Sequence, residues 1–292
     1  MSFSYRDETK ELNEITRKDL SGSFIELPNG FTHYELSNPE KENTVILVHG
    51  FSVPYFIYDP TFEFLTGSGF RVVRYDLFGR GFSDRPDTRY NIDLFVNQLA
   101  DLLNALHFTR PVSLVGLSTG GPITAAFTVR FPERVHKLVL IDPIGARILA
   151  LARILKVAAM PLVGEIIISL FRSDGIVKNI ASNLLDRELV GHFQDRYIAA
   201  IQYEGFKRGI LSSIRNGMLD SFLKIYEQVG KMDKPVLLFW GRNDPTVPFK
   251  HSHDLRAAMP NLEFQVIENC GHIPHHEKPK EVNPILLDFL RK

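Results

Sequence analysis

Short runs of continuous apolar, often β-branched residues recur along the chain: TVILV at 44–48, RVVRY at 71–75, VSLV at 112–115, KLVLI at 137–141, VLLFW at 236–240 and FQVI at 264–267. Runs of this length and character suit strands buried on both faces, as in a parallel sheet covered by helices. Between them the period lengthens. At 92–106 the apolar positions Leu94, Phe95, Leu99, Leu102, Leu103 and Leu106 follow helical spacing, and 285–290 does the same near the C-terminus. Strand–helix alternation predicts an α/β architecture with a mostly parallel sheet flanked by helices. Residues 24–36 read as an antiparallel hairpin that turns at Pro28, Asn29 and Gly30.

The alternation breaks once. From 144 to about 229 no strand pattern occurs, and the segment reads as helices punctuated by Pro161, Gly164, Gly175, Gly191, Gly205 and Gly217. The expected division is a core of 1–143 and 232–292 with 144–231 inserted as a helical cap. The most apolar stretch, 144–171, is interrupted by Arg147, Arg153, Lys156 and Glu165. It therefore lacks the ~18 consecutive apolar residues of a membrane span.

Composition narrows the field. The chain has 292 residues with 44% apolar content, enough for a sizeable core, and Lys+Arg and Asp+Glu both total 34. A balanced charge gives no support for nucleic-acid binding, which rests on a basic field. Cys270 is the single cysteine, so no intrachain disulfide and no cysteine-based zinc site can form. Residues 1–20 are polar and lack the apolar core of a signal peptide. The expectation is a cytoplasmic protein.

The chemistry concentrates after the strand runs. Gly116-Leu117-Ser118-Thr119-Gly120 follows VSLV directly and has the form G-x-S-x-G. That pattern builds a sharp strand-to-helix turn with the serine exposed at its apex in a strained conformation. The helix read from Gly121 to Arg130 then points its positive end at the serine, where negative charge develops. A serine hydroxyl needs a base, and the base needs an orienting acid, in the chain order nucleophile, acid, histidine. Asp244, in GRNDP after VLLFW, is the expected acid; its rival is Asp142, at the end of KLVLI, whose plainer role is a turn residue bonding local backbone. Of 10 histidines, His272 follows the FQVI strand in a loop and is the expected base, with His275 and His276 as rivals nearer a helix start. The oxyanion needs two backbone N–H donors. Thr119 should supply one and Phe51, in the loop after TVILV, the other, with Ser52 as an alternative; His49 is expected to hold the loop shape.

With HGF at 49–51, YDLFGRGFSDRP at 75–86, GLSTGG at 116–121, GRNDPTVP at 241–248 and GHIPHHEKP at 271–279, the chain resembles the α/β-hydrolase superfamily over nearly its whole length. The resemblance implies an eight-stranded sheet, a Ser118–Asp244–His272 triad and a helical cap after the sixth strand. It implies no metal or organic cofactor. Dehalogenases and epoxide hydrolases of this fold carry aspartate where Ser118 stands, so serine points to acyl transfer. The apolar segment 146–171 is similar to the caps of bacterial carboxylesterases and monoacylglycerol lipases. It suggests an ester with an apolar acyl chain as substrate and transient lipid-surface contact through the cap. Three other readings are open: a carbon–carbon bond hydrolase of ring-cleavage products, with Arg172, Lys178, Arg187 and Arg196 available for a substrate carboxylate; a cofactor-free haloperoxidase or perhydrolase-type esterase; and a hydrolase-fold ligand receptor.

Overall fold

The computed structural model describes residues 5, 7–149, 154–155, 159–170 and 190–292. A short helix, α1 (Glu14–Lys18), precedes the hairpin of β1 (Ser23–Leu27) and β2 (Gly30–Ser37), in which Leu27 pairs with Gly30. Then come β3 (Thr44–Val48), a 3-10 turn (Tyr55–Tyr58), α2 (Asp59–Gly67), β4 (Arg71–Tyr75), α3 (Ile92–Ala105), β5 (Val112–Leu117), α4 (Gly120–Arg130) and β6 (Val135–Ile141). The chain returns to the sheet as β7 (Val236–Gly241) and β8 (Glu263–Ile267). The strands form one eight-stranded sheet in the order β1-β2-β4-β3-β5-β6-β7-β8. Only the β1–β2 and β2–β4 pairings are antiparallel.

The continuous apolar runs are explained by two cores, one on each face. Ile46, Val73, Leu114, Leu138 and Trp240 pack toward α3 and α4, while Val45, Leu47, Val115, Val139 and Phe239 pack toward α2 and the C-terminal helix α11 (Pro279–Arg291). Alternation along each strand supplies both layers. Each fully buried Val, Leu, Ile or Phe contributes about 1.5–3 kcal/mol relative to exposure. The lone charge of KLVLI is also accounted for. Buried Lys137 donates to the carbonyls of Phe289 at 2.9 Å and Leu290 at 3.1 Å, closing the end of α11. Helices α1 and α2 have no counterpart in the hydrophobic pattern; α2 is short and starts at Asp59-Pro60, with proline in its first turn.

Between β6 and β7 the described residues contain no strand. They hold α5 (Val163–Leu170), α6 (Val190–Ile201), α7 (Phe206–Arg215) and α8 (Leu223–Gly230). Helix α6 buries Phe193, Tyr197 and Ile201, and α7 buries Leu211 and Ile214. Arg196 of α6 is ion-paired with Asp59, and Asp59 also pairs with Arg74. The N-terminal segment straps the insertion from outside. Lys10 N–H donates to Gln202 O at 3.1 Å, Glu204 N–H donates to Lys10 O at 2.9 Å, and the Glu8 carboxylate accepts the Gly205 and Lys207 amides at 2.6 Å. Glu8 thereby caps α7 from far away in the chain. No helix among the described residues is long and apolar enough to cross a membrane. After β7 the remaining helices are α9 (His251–Ala258) and α10 (Pro274–Glu277), the latter ahead of α11.

Candidate active site

Ser118 lies between β5 and α4 with φ 53, in the left-handed region that a side-chain-bearing residue seldom adopts. Such strain costs about 1–3 kcal/mol and needs fixing by its surroundings. Here the Ser118 N–H donates to Ile141 O at 2.9 Å, and its carbonyl accepts from Gly121 N at 3.1 Å and Ile144 N at 3.2 Å. The flanking glycines are required by space. A Cβ at Gly116 would lie 2.4 Å from the Gly120 carbonyl oxygen, and one at Gly120 would lie 2.2 Å from the Val48 carbonyl oxygen.

Asp244 and His272 reach the same carboxyl edge of the sheet on the loops after β7 and β8. These loops are pressed together: a Cβ at Gly241 would stand 1.9 Å from Gly271 O, and Asn243 N–H donates to Cys270 O at 2.9 Å. That contact sets His272 Nδ1–H against Asp244 Oδ2 at 2.7 Å. The other Asp244 oxygen accepts the Thr246 amide at 2.7 Å and the Val247 amide at 2.9 Å. The carboxylate side chain has 0% exposure and the imidazole 15%. Among the described hydrogen bonds none joins the Ser118 hydroxyl to His272; in unliganded sites of this kind such contacts tighten when substrate binds.

The rival residues fall elsewhere. Asp142 lies within 4.8 Å of the imidazole but makes no hydrogen bond to it among the described residues, and its expected role as a local turn residue is corrected. Its Oδ1 accepts the Gly241 N–H of the neighbouring strand at 2.9 Å, because the parallel register brings the end of β6 beside the end of β7. His275 is buried against the Tyr58 ring at 4.6 Å, and burial holds its ring well below the usual histidine range. His276 Nδ1–H donates to Ile57 O at 3.0 Å. His49 is a bracket for its loop: Nδ1–H donates to Gly50 O and Nε2 accepts the Leu77 N–H, each at 2.9 Å. Burial pulls its pKa down to about 4, so it is neutral.

Gly50 brings that loop against the serine, since a Cβ there would stand 3.2 Å from Ser118 Cβ. Phe51 follows it, and Thr119 follows Ser118. Among the described residues neither the Phe51 nor the Thr119 amide donates to a protein acceptor. Two unspent N–H groups therefore flank the serine.

Sequence reasoning missed Arg80, although its motif GRG was in view. Its guanidinium is buried, with Nε donating to the Phe51 carbonyl at 2.8 Å, Nη1 to Phe78 O at 3.3 Å and Nη2 to Ser213 Oγ of α7 at 2.8 Å. It lies over the Phe51, Tyr90 and Phe95 rings at 5.3, 5.8 and 5.6 Å. Desolvation lowers its pKa to about 10, which leaves it a cation. In the same motif, Asp76 accepts His33 Nδ1–H at 2.7 Å and the Tyr55 and Phe82 amides at 2.8 and 2.9 Å, so it is a bracket for two loops. Asp142, Asp244 and His272 have polar atoms within 4.8 Å of one another. With His272 Nδ1 committed to Asp244, they read as a hydrogen-bonded carboxylate–imidazole pair with a second carboxyl group beside it.

A parallel sheet whose strand ends collect a strained serine, spare amides and a carboxylate-held imidazole defines a class, the α/β hydrolases. The chain belongs to the alpha/beta hydrolase family, whose family model matches residues 45–285. It is 27% identical over 298 residues to a 2-hydroxy-6-oxononadienedioate/2-hydroxy-6-oxononatrienedioate hydrolase of Pseudomonas putida, covering 96% of this chain and 99% of that one. Among solved structures, a meta-cleavage product hydrolase of Pseudomonas fluorescens superposes with TM-score 0.75 at 25% identity, covering 92% of this chain and 97% of that one. An esterase of Thermogutta terrifontis shares the fold with TM-score 0.75 at 21% identity, covering 92% and 98% respectively.

Proposed function

We propose that this hydrolase cleaves carboxylic esters with apolar acyl chains through Ser118, His272 and Asp244. The observation that carries the proposal is the 2.7 Å Asp244–His272 bond on the same sheet edge as the strained Ser118. His272 takes the Ser118 proton as the hydroxyl oxygen attacks the ester carbonyl, and Asp244 orients and stabilises the imidazolium. The Phe51 and Thr119 amides hold the tetrahedral oxyanion. His272 gives its proton to the departing alcohol, and water releases the acid by the reverse path. Ester specificity is supported by the exposed Ile154, Met160, Leu162, Val163 and Ile166 of the insertion. In this reading residues 144–231 act as a cap over the serine, and its apolar ridge touches lipid surfaces.

A second reading rests on the Pseudomonas putida relative, whose name is that of a carbon–carbon bond hydrolase. It requires cations for a substrate carboxylate. Arg196 is already paired with Asp59 and stacked on Phe56 at 4.4 Å. Arg172, Lys178 and Arg187 lie outside the described residues.

The deciding measurement is steady-state turnover of p-nitrophenyl esters from acetate to long chains, beside a ring-cleavage dienoate. The expected result is a rate maximum at medium or long chains. Ser118→Ala should lower kcat by about 10⁴–10⁶-fold with the fold intact. An optimum at acetate would favour small esters or perhydrolysis, turnover of the dienoate alone the second reading, and no turnover of either a receptor role.

A further inference from the structure

Asp142 closes β6 with φ 40 and is fully buried. Its Oδ1 accepts one amide, that of Gly241, while Oδ2 is buried and meets no donor among the described residues. What stands beside it is a second carboxyl group, Asp244, within 4.8 Å and likewise buried. Two carboxyl groups this close and this dry do not both ionise.

The donors decide which one keeps a proton. Asp244 receives three N–H groups, from Thr246, Val247 and His272, all of which favour its charged form. Asp142 receives one. Other titratable groups facing the pair are Cys270, whose thiol burial pushes up, Glu277, which accepts the Gly271 and Ile273 amides and adds negative charge, and His251, which burial holds below the usual histidine range. We propose that Asp142 is a neutral carboxylic acid in the folded protein and that its O–H donates to Asp244, making it a positioning residue for the Asp244–His272 pair. Burial first, and then the neighbouring Asp244, hold its carboxyl well above the ordinary range.

The arrangement has a use that depends on the proposed triad. A proton on Asp142 satisfies the otherwise orphaned oxygen and fixes the rotation of Asp244 that aims Oδ2 at the imidazole. It also limits the negative charge beside His272.

The test is infrared spectroscopy of the full chain labelled with 13C-aspartate, alongside Asp142→Asn, whose amide keeps both an acceptor for Gly241 and a donor for Asp244. At about pH 8, where an ordinary aspartate is ionised, the wild type should show a protonated aspartic carboxyl band that Asp142→Asn lacks. A carboxyl with a raised folded-state pKa contributes stability below the ordinary carboxyl range and loses it as pH rises. Asp142→Asn should therefore gain stability over the wild type as pH is raised from about 4, and because its amide keeps the donor to Asp244 it should retain a higher kcat than Asp142→Leu, which has none. A wild-type spectrum without the band, a band that survives in Asp142→Asn, or a stability gap that widens in the opposite sense would overturn the proposal. A labelled wild type without the band overturns the proposal even if Asp142→Asn does not fold, and in that case loss of the band in Asp142→Ser serves for the assignment. Ser118→Ala should keep the band while losing turnover; if it kept turnover, the triad reading would fall and the carboxyl assignment would stand.

Discussion

Arg80 carries a charge into a place water does not reach, with no carboxylate ion-paired to it among the described residues. Its partners are two carbonyls, a serine hydroxyl and three aromatic faces. Burying a cation this way is costly, and the arrangement fixes the Phe51–Ser52 peptide, which adjoins the peptide carrying the Phe51 N–H proposed as an oxyanion donor. Replacing it by methionine keeps the bulk and removes the donors. Arg80→Met should lower kcat for ester hydrolysis by about 10–100-fold with little change in KM, as expected for a loosened oxyanion loop. A change confined to KM would instead assign Arg80 to substrate binding. Asp142 teaches a related lesson: its role follows from the second carboxyl across the strand gap, which its own sequence neighbours do not reveal.

At the scale of elements, the turn from β5 to α4 is a close join of backbone against backbone. Gly116 and Gly120 leave no room for a methyl group against the Gly120 and Val48 carbonyls. Gly116→Ala and Gly120→Ala should each cost about 3 kcal/mol or more in chemical denaturation, since backbone would have to move. Gly67, at the end of α2, has nothing within 4 Å of its Cβ position. Gly67→Ala should be neutral or stabilise by about 0.5–1 kcal/mol through helix propensity and unfolded-state entropy. Similar costs at all three positions would deny that close packing governs the elbow.

For the molecule as a whole, the described part of the insertion is tied to the core at several points and also exposes apolar side chains to solvent. Arg196 reaches Asp59, Arg80 reaches Ser213, and Glu8 holds the start of α7. Against that, Leu162 and Ile166 are 62% and 56% exposed. If the ridge docks on lipid, Leu162→Asp combined with Ile166→Asp should reduce co-sedimentation with phosphatidylcholine vesicles by about tenfold or more. Turnover of a short soluble ester should be unchanged. Equal sedimentation of both proteins would remove lipid contact from the reading.

The positions of Ser118, Asp244 and His272 on one edge were legible because each follows an apolar strand run, and parallel strands deliver their following loops to a common side. The same logic placed Phe51 and Thr119 beside the serine. The sequence by itself thus determined the sheet, its two buried faces and the loops that bear Ser118, Asp244 and His272, since these follow from local period and turn chemistry. Only the tertiary structure decided that Arg80 holds the Phe51 carbonyl, that Asp142 faces Asp244, and that Glu8 caps a helix 199 residues away. Those contacts depend on strand order and on how the insertion is laid down, and a one-dimensional pattern contains neither.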